Sequence, residues 1–471
     1  MEAVINFIYS NILSILMMVL MIAVGVFLTI KTKVLQFRRF GYALKNTVGS
    51  LFDKSQHVKE KGSVSPFQAV TTALAGTIGT GSIAGLATAL VAGGPGAVFW
   101  MWISALLGMV TKYAEITLSL KYREKNQNGA WVGGPMYYMK NGLKSRFLPI
   151  IFAIFAMIAC IGTGNATQSN AIADVVNSTT TVPKWVTGLV IMIIVALVIL
   201  GGVKRIASIN EKLVPTMALF FIVCAFIVLG INIQKIPTAF ALIFKEAFNF
   251  KAAFGGVAGY GVLSAMRFGV GRGVFTNEAG LGSAPIAHAA SSATDPAKQG
   301  FWGMFEVFIT TIVICTISAL VILTSDIYAG IYASHGANAS VNGAALSGAA
   351  FNEAVPVVGE FGVAISTIFF SLSTILGWAY YGEVCAGFLF KKHSKVAITV
   401  YRIVYVVFVF IGAVASIDVV WLLADCFNVL MALPNLIAII ALSKVVTKLT
   451  KEHFDKSKKV KEKTITEESQ S

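Results

Sequence analysis

The chain has 471 residues, of which 56 % are hydrophobic and 13 % charged, and its mean hydropathy of +0.77 excludes a string of soluble domains and indicates a polytopic membrane protein. A net charge of +15 raises a nucleic-acid reading, but the Lys and Arg residues lie in loops and at the C-terminus, where membrane topology puts them, so no nucleic-acid partner is expected. The five cysteines fall in or beside apolar runs, with no CxxC pair, and read as small hydrophobes.

The first apolar run, Ile12 to Ile30, is too long for a signal-peptide core and has no basic residue before it, so residues 1–30 read as an N-terminal membrane span. Residues 31–65 are a basic linker in which Leu35, Phe37, Phe40, Leu44, Leu51 and Phe52 recur among Lys33, Arg38, Arg39 and Lys45. That pattern suits an amphipathic cytoplasmic segment on the membrane surface. Further apolar runs lie at about 66–92, 96–119, 148–174, 184–202, 212–232, 254–290, 299–324, 350–390, 396–416 and 419–445, each roughly the 20 residues needed to cross a bilayer or longer. The expected fold is all-α, with about eleven transmembrane helices. From 446 to 471 the chain is charged and Lys-rich, and a disordered cytoplasmic tail is expected.

Eleven spans put the two termini on opposite sides. Lys31 to Lys61, the cluster from Lys121 to Arg146, Lys204 and Arg205, Lys391 to Lys395 and the tail fall on one side, whereas the loop from Ser325 to Ala349 has no Lys or Arg. The positive-inside rule then places the N-terminus outside and the C-terminus in the cytoplasm of a multi-pass cell-membrane protein, with Lys184, Lys235, Lys245 and Lys251 as exceptions.

Two runs carry glycine where lipid favours an unbroken helix. One holds Gly76-Thr77-Ile78-Gly79-Thr80-Gly81-Ser82; the other holds Phe268-Gly269-Val270-Gly271-Arg272-Gly273 and leads into Phe275-Thr276-Asn277-Glu278. Either cluster alone is as well explained by close helix packing. Residues 66–232 and 254–445, however, each hold five spans and each begin with such a run, and an odd number of spans inverts the second set relative to the first. This predicts an inverted repeat with two discontinuous helices meeting at a site near the bilayer midplane.

A half-helix beginning past Gly81 would offer free N–H groups to a carboxylate, and one ending near Ile78 would offer carbonyls to a cation or an ammonium group. Ser373 and Thr374, with the Phe370 carbonyl one turn earlier and the carbonyls of Ala75 and Ile78, can form an all-oxygen cage for a hard monovalent cation. Hydroxyls bonding back to their own helix are the alternative. Asn165 and Gln168, three apart, share a helix face as ligand contacts or interhelical glue. Phe268, Phe275 and Trp378 can wall a small pocket. Of the buried ionisable residues, Arg267, Arg272 and Glu278 flank the second break, where an Arg–Glu pair is expected, and Glu306 and Asp425 lie inside later spans. The first break holds no Asp or Glu, which favours Na⁺ over a proton relay. No GxSxG or HExxH motif is present and His288 has no arguable partner, so no enzyme is expected.

Five segments, Ala75–Gly85, Gly93–Trp102, Gly133–Tyr138, Phe275–Ala284 and Ser373–Trp378, resemble the alanine or glycine:cation symporter (sodium/alanine symporter) family, in order across nearly the whole membrane part. The resemblance implies sodium-coupled symport of alanine or glycine by alternating access, on the five-plus-five inverted-repeat fold of the bacterial leucine transporter. It implies carboxylate contacts at Gly79, Thr80 and Gly81, an ammonium contact at Thr77, and a Na⁺ site from Ala75, Ile78, Phe370, Ser373 and Thr374. On the second broken helix it implies Phe268, Gly269, Gly271, Phe275, Thr276 and Asn277. The sequence departs from the family at Ser82, where many relatives carry Asn. A proton-coupled carrier, with Glu306 as the first candidate, and a membrane receptor or enzyme without transport are the alternatives.

Overall fold

The computed structural model describes residues 5, 7–49, 63–249, 261–334, 343–356, 358–415 and 417–468. It is nearly all helix. The elements that build and surround the centre are α1 (Ser14–Lys31), α2 (Pro66–Thr77), α3 (Ala84–Gly93), α4 (Gly96–Tyr122), α5 (Leu148–Ile161), α6 (Thr167–Thr180), α7 (Lys184–Ile199), α8 (Gly202–Ile231), α9 (Val262–Asn277), α10 (Ala284–Ala289), α11 (Pro296–Val307), α12 (Thr316–Leu323), α13 (Gly343–Ala354), α14 (Val358–Leu389), α15 (Ser394–Val414), α16 (Ile417–Ala441) and α17 (Ser443–Glu468). A two-residue hairpin, Glu124–Lys125 with Trp131–Val132, is the only named sheet among the described residues.

Among the described residues, eight helices are long and apolar enough to cross a membrane, and the bent pair α2 and α3 makes a ninth. The other expected spans correspond to the shorter apolar helix α7 and to the second interrupted run, whose residues 254–260 lie outside the described residues. Large apolar side chains on the outer faces of α8 and α15, such as Leu219, Ile227, Val400 and Ile403, are exposed, as helices facing lipid require.

The first interrupted helix starts and stops for readable reasons. Ser65 caps α2 in a reciprocal box with Gln68, and Pro66 fills the first turn, where no N–H is needed. After Thr77 the chain leaves helical geometry at Ile78 and runs extended through Gly79. It resumes as a tight turn at Thr80–Ser82 and then as α3, bent by 55° from α2. The second interruption follows α9, where Glu278, Gly280 and Gly282 all have positive φ (54°, 88° and 83°), a run that only glycine makes inexpensive at two of its three positions.

The halves of the two broken helices pair across the molecule. α2 packs with α10, α8 and α14, whereas α3 packs with α9, α13 and α4. The segment before one break therefore lies against the segment after the other, the arrangement expected of two inverted units. Two helices beside this centre contain wide π-type turns, Gly162–Ala166 between α5 and α6 and Phe308–Cys315 between α11 and α12.

Three expectations change. The tail from 446 is not wholly irregular, because α17 runs from Ser443 to Glu468 and buries Val446, Thr450 and His453. These residues recur every three or four positions among the lysines and form a narrow stripe that the high charge conceals. The linker holds two short helices, Leu35–Arg38 and Phe40–Asn46, with Leu35 buried and Phe37 exposed; Leu51 and Phe52 lie outside the described residues. Finally, two exceptions to the charge rule are neutralised locally, since Lys184 pairs with Asp174 and Lys235 with Asp326.

Candidate functional site

At the first break the carbonyl end of α2 faces α14. The Thr374 hydroxyl lies 2.8 Å from the Ala75 carbonyl and 2.9 Å from the Phe370 carbonyl, and the Ser373 hydroxyl lies 2.9 Å from the same Phe370 oxygen. Four of the five residues expected to form the cation cage are thus joined by hydrogen bonds. Each hydroxyl bonds back to its own helix, as the alternative reading expects, and Thr374 also reaches across to α2. Ile78 is buried beside them, and among the described residues no hydrogen bond reaches its carbonyl.

The N–H side of the break faces α6. Thr80 donates its backbone N–H to the Gln168 side-chain oxygen at 3.2 Å, and Gln168 is held by the Thr163 carbonyl at 3.1 Å. A Cβ at Gly79 would sit 2.6 Å from the Thr374 hydroxyl and 3.2 Å from the Gln168 oxygen, so this position tolerates no side chain. A Cβ at Gly81 would meet Phe275 and Thr276 at 3.0 Å, which places the second broken helix directly against the first. The hydroxyls of Thr80 and Ser82 are buried with no partner, as is that of Tyr381, beside Gly76.

Trp378 has a different role from the expected pocket wall. Its indole N–H is 2.9 Å from Glu278 and 3.4 Å from the Gly76 carbonyl, and its ring packs where a Cβ at Gly164 would be. Glu278 also accepts from Ser283 at 2.5 Å, so this carboxylate ties the second break to the first. The expected Arg–Glu pair is not formed. Arg272 instead pairs with Asp425 on α16 at 3.3 Å, and among the described residues Arg267 has no carboxylate partner. The geometry explains the difference: Glu278 lies past the end of α9 in left-handed conformation, and its carboxylate turns toward α14.

The remaining expected residues divide clearly. Thr276 bonds back to the Arg272 carbonyl, and Phe275 stacks on Trp421 at 5.2 Å. Asn277 donates to Thr311 and accepts from Ala279 N–H. Thr77 bonds back to Ala73 and Leu74, Gly269 packs against Ala97 and Trp100 of α4, and Phe268 lies against Gly93 at the far end of α3. Gly271 opens onto a cavity of about 70 Å³ bordered by Tyr9, Arg267, Arg272, Phe275 and Asp425. Asn165 points away from the break and donates to the Tyr405 carbonyl on α15 at 2.6 Å. α-Helical spacing pairs it with Gln168, but the wide turn at Gly162–Ala166 changes the phase, so residues three apart no longer share a face.

A second cluster, whose members the sequence patterns do not bring together, lies beside the second break. Lys112 of α4 lies 3.1 Å from Glu306 of α11 and 2.8 Å from the Asn277 carbonyl, and Glu306 also contacts His288 of α10 at 2.6 Å. His288 therefore has a partner, and its other ring nitrogen meets Gln299 at 2.9 Å. The signal was available in the sequence: Lys112 and Glu115 are ionisable residues inside an apolar run, and such residues are functional candidates by default.

Two interrupted helices whose broken ends meet inside a helical bundle define a secondary transporter of the discontinuous-helix class. The comparisons agree and narrow the class: the chain belongs to the sodium:alanine symporter family, whose family model matches residues 1–467. It is 46 % identical over 439 residues to the sodium/alanine symporter AgcS of Methanococcus maripaludis, covering 92 % of this chain and 93 % of that one. It is 39 % identical over 443 residues to GlnT of Bacillus subtilis, named as a probable sodium/glutamine symporter, covering 94 % and 88 %. Among solved structures, MhsT in complex with L-phenylalanine matches with a TM-score of 0.57 at 12 % identity over 83 % of this chain and 99 % of that one. A Na⁺-coupled sialic acid symporter matches with a TM-score of 0.52 at 11 % identity, covering 92 % and 97 %. These two likenesses concern the fold. The chain is a multi-pass membrane transporter, not an enzyme.

Proposed function

We propose that this transporter imports a small neutral amino acid, alanine or glycine, together with Na⁺, by alternating exposure of a midplane site at the first break. The observation that carries the reading is the polarity of that break. Neutral oxygens from Ala75, Phe370, Ser373 and Thr374 gather on one side, and the N–H groups of Gly79, Thr80 and Gly81 lie on the other. Neutral oxygens without a carboxylate suit a hard monovalent cation, and the described residues contain no group of three His, Cys, Asp or Glu that would hold another metal. N–H groups at the start of a half-helix suit a carboxylate, for which the Gln168 oxygen now stands in at Thr80. Phe275 against Gly81 limits side-chain size and so favours the smallest amino acids. The names of the relatives AgcS and GlnT support sodium coupling, and that of AgcS supports alanine. The N-terminus lies outside and the C-terminus in the cytoplasm, as the lysine distribution indicates.

Uptake of labelled alanine into proteoliposomes, with and without an inward sodium gradient, tests the proposal. Accumulation that needs sodium is the expected result, and accumulation driven equally by potassium would reject it. The buried Lys112, Glu306 and His288 chain favours a second reading, proton coupling. Uptake in a proton gradient without sodium, lost in Glu306→Gln, would support that reading over the first.

A further inference from the structure

Between the short helix Pro135–Asn141 and α5 the chain carries Lys140, Lys144 and Arg146, and α14 ends at Leu389, just before Lys391 and Lys392. Both places belong to the basic loops that the lysine distribution gathers on one side of the membrane. Together they frame a groove of about 500 Å³, within the range of roughly 300–1,000 Å³ that holds a small molecule. Ile150 and Ile154 of α5 line it from one side, Phe388 and Phe390 from the other, and Lys140 and Arg146 stand at its border. The Phe388 ring lies edge-on to Tyr137, with centroids 5.2 Å apart, so this wall is part of the packed protein.

The walls face hydrocarbon. α5 opens a membrane span, and Ile150, Ile154 and Phe390 are exposed on its outer side or beside it, with Phe147 at the mouth 78 % exposed. The rim carries more positive charge than the protein neutralises. Two lysines share the Glu124 carboxylate, Lys140 at 2.8 Å and Lys391 at 3.9 Å, and Asn141 donates to it as well at 2.9 Å. Arg146 is exposed and, among the described residues, has no carboxylate partner. A guanidinium stays charged and presents its donors in a fork that fits a phosphate.

We propose that this groove binds an anionic phospholipid of the adjoining leaflet, with the phosphate at Arg146 and Lys140 and an acyl chain along the apolar walls. Basic residues above a groove between membrane helices suit such a headgroup. A free anion would use the rim and leave the walls unfilled; a neutral lipid would fill the walls and leave the rim unpaired. The proposal is independent of which solute the protein carries.

Native mass spectrometry of the purified full chain in detergent, with phosphatidylglycerol or phosphatidylcholine added, tests it. The wild type is expected to retain phosphatidylglycerol in preference to phosphatidylcholine. Arg146→Gln is expected to cut that preference about fivefold, the worth of one basic residue near an anionic surface. Ile154→Trp, which narrows the groove without changing a charge, is expected to lower phosphatidylglycerol retention as well, whereas Lys451→Gln, on α17, is expected to leave it unchanged. All three side chains are exposed, so none of these changes removes a core contact. Equal retention of the two lipids by the wild type, a loss in Arg146→Gln matched by Lys451→Gln, or no effect of Ile154→Trp overturns the proposal. Displacement of the lipid by an equal concentration of soluble glycerol phosphate also overturns it, because a free anion would then suffice.

Discussion

Thr374 bridges the two helices of the proposed cation site with one hydroxyl, so its removal separates ion binding from folding. In Thr374→Ala the apparent affinity for Na⁺ in alanine uptake is expected to fall at least tenfold, given roughly 1.5–3 kcal/mol for a contact to a charge, while the melting temperature stays near that of the wild type. Sodium activation indistinguishable from wild type would remove Thr374 from the site. Gly79→Ala is expected to be far more severe, because its Cβ would sit 2.6 Å from the Thr374 hydroxyl; normal uptake by that variant would mean the break relaxes more freely than its packing implies. For substrate size the two aromatics now differ. Phe275→Ala, which opens space beside Gly81, is expected to admit larger side chains, read by competition of labelled alanine with leucine. Trp378→Phe is expected to lower uptake of every substrate alike, because it unties Glu278 from the first break.

At the scale of elements, α17 is the feature with a pH dependence. His453 lies 2.7 Å from Asp295, the cap of α11, and 2.8 Å from Tyr42 of the linker, with the Arg39 guanidinium 4.6 Å over the neighbouring Phe454 ring. Burial pushes the Asp295 carboxyl up, but the hydrogen bond and charge of His453 and the N–H groups of Lys298 and Ala297 outweigh it and hold it below the ordinary range. A lowered carboxylate contributes stability that is present above its unfolded value of about 3.9 and lost as pH falls through the folded one. Docking of α17 is therefore expected to persist at neutral and mildly acid pH. Asp295→Asn should loosen it at pH 7, seen as faster amide exchange from Thr450 to Phe454; unchanged protection would show that apolar packing alone holds the helix. The broken helices were legible because glycine and hydroxyls in an apolar run violate the rule for lipid-facing backbone. α17 was not, because its buried stripe of Val446, Thr450 and His453 is narrow and set among lysines. The Asn165 and Gln168 pairing failed because a π-type turn leaves no mark in the pattern of residue types. Lys112 stands in an apolar run, and its partners Glu306 and Asn277 lie 165 or more positions further along the chain, so the sequence does not show the pairing.

Across the whole molecule, the pairing of α2 with α10 and of α3 with α9 means that a ligand at the first break touches both inverted units at once. Ligands that bind the folded state alone stabilise it by mass action, about 2.7 kcal/mol at a hundred times the dissociation constant. Sodium is therefore expected to raise the melting temperature where potassium does not, and alanine to raise it further only when sodium is present. An alanine effect equal in potassium would mean that the two ligands bind independently. Because Gly81 of the first break lies against Phe275 and Thr276 of the second broken helix, cargo bound there would hold both together. The unloaded carrier is then expected to be the perishable form, the one that quality-control proteases meet most often in an opened state. A cell deprived of the solute is then expected to shorten the half-life of the protein, measurable by pulse-chase, so that the abundance of the carrier follows the supply of its cargo without a dedicated sensor.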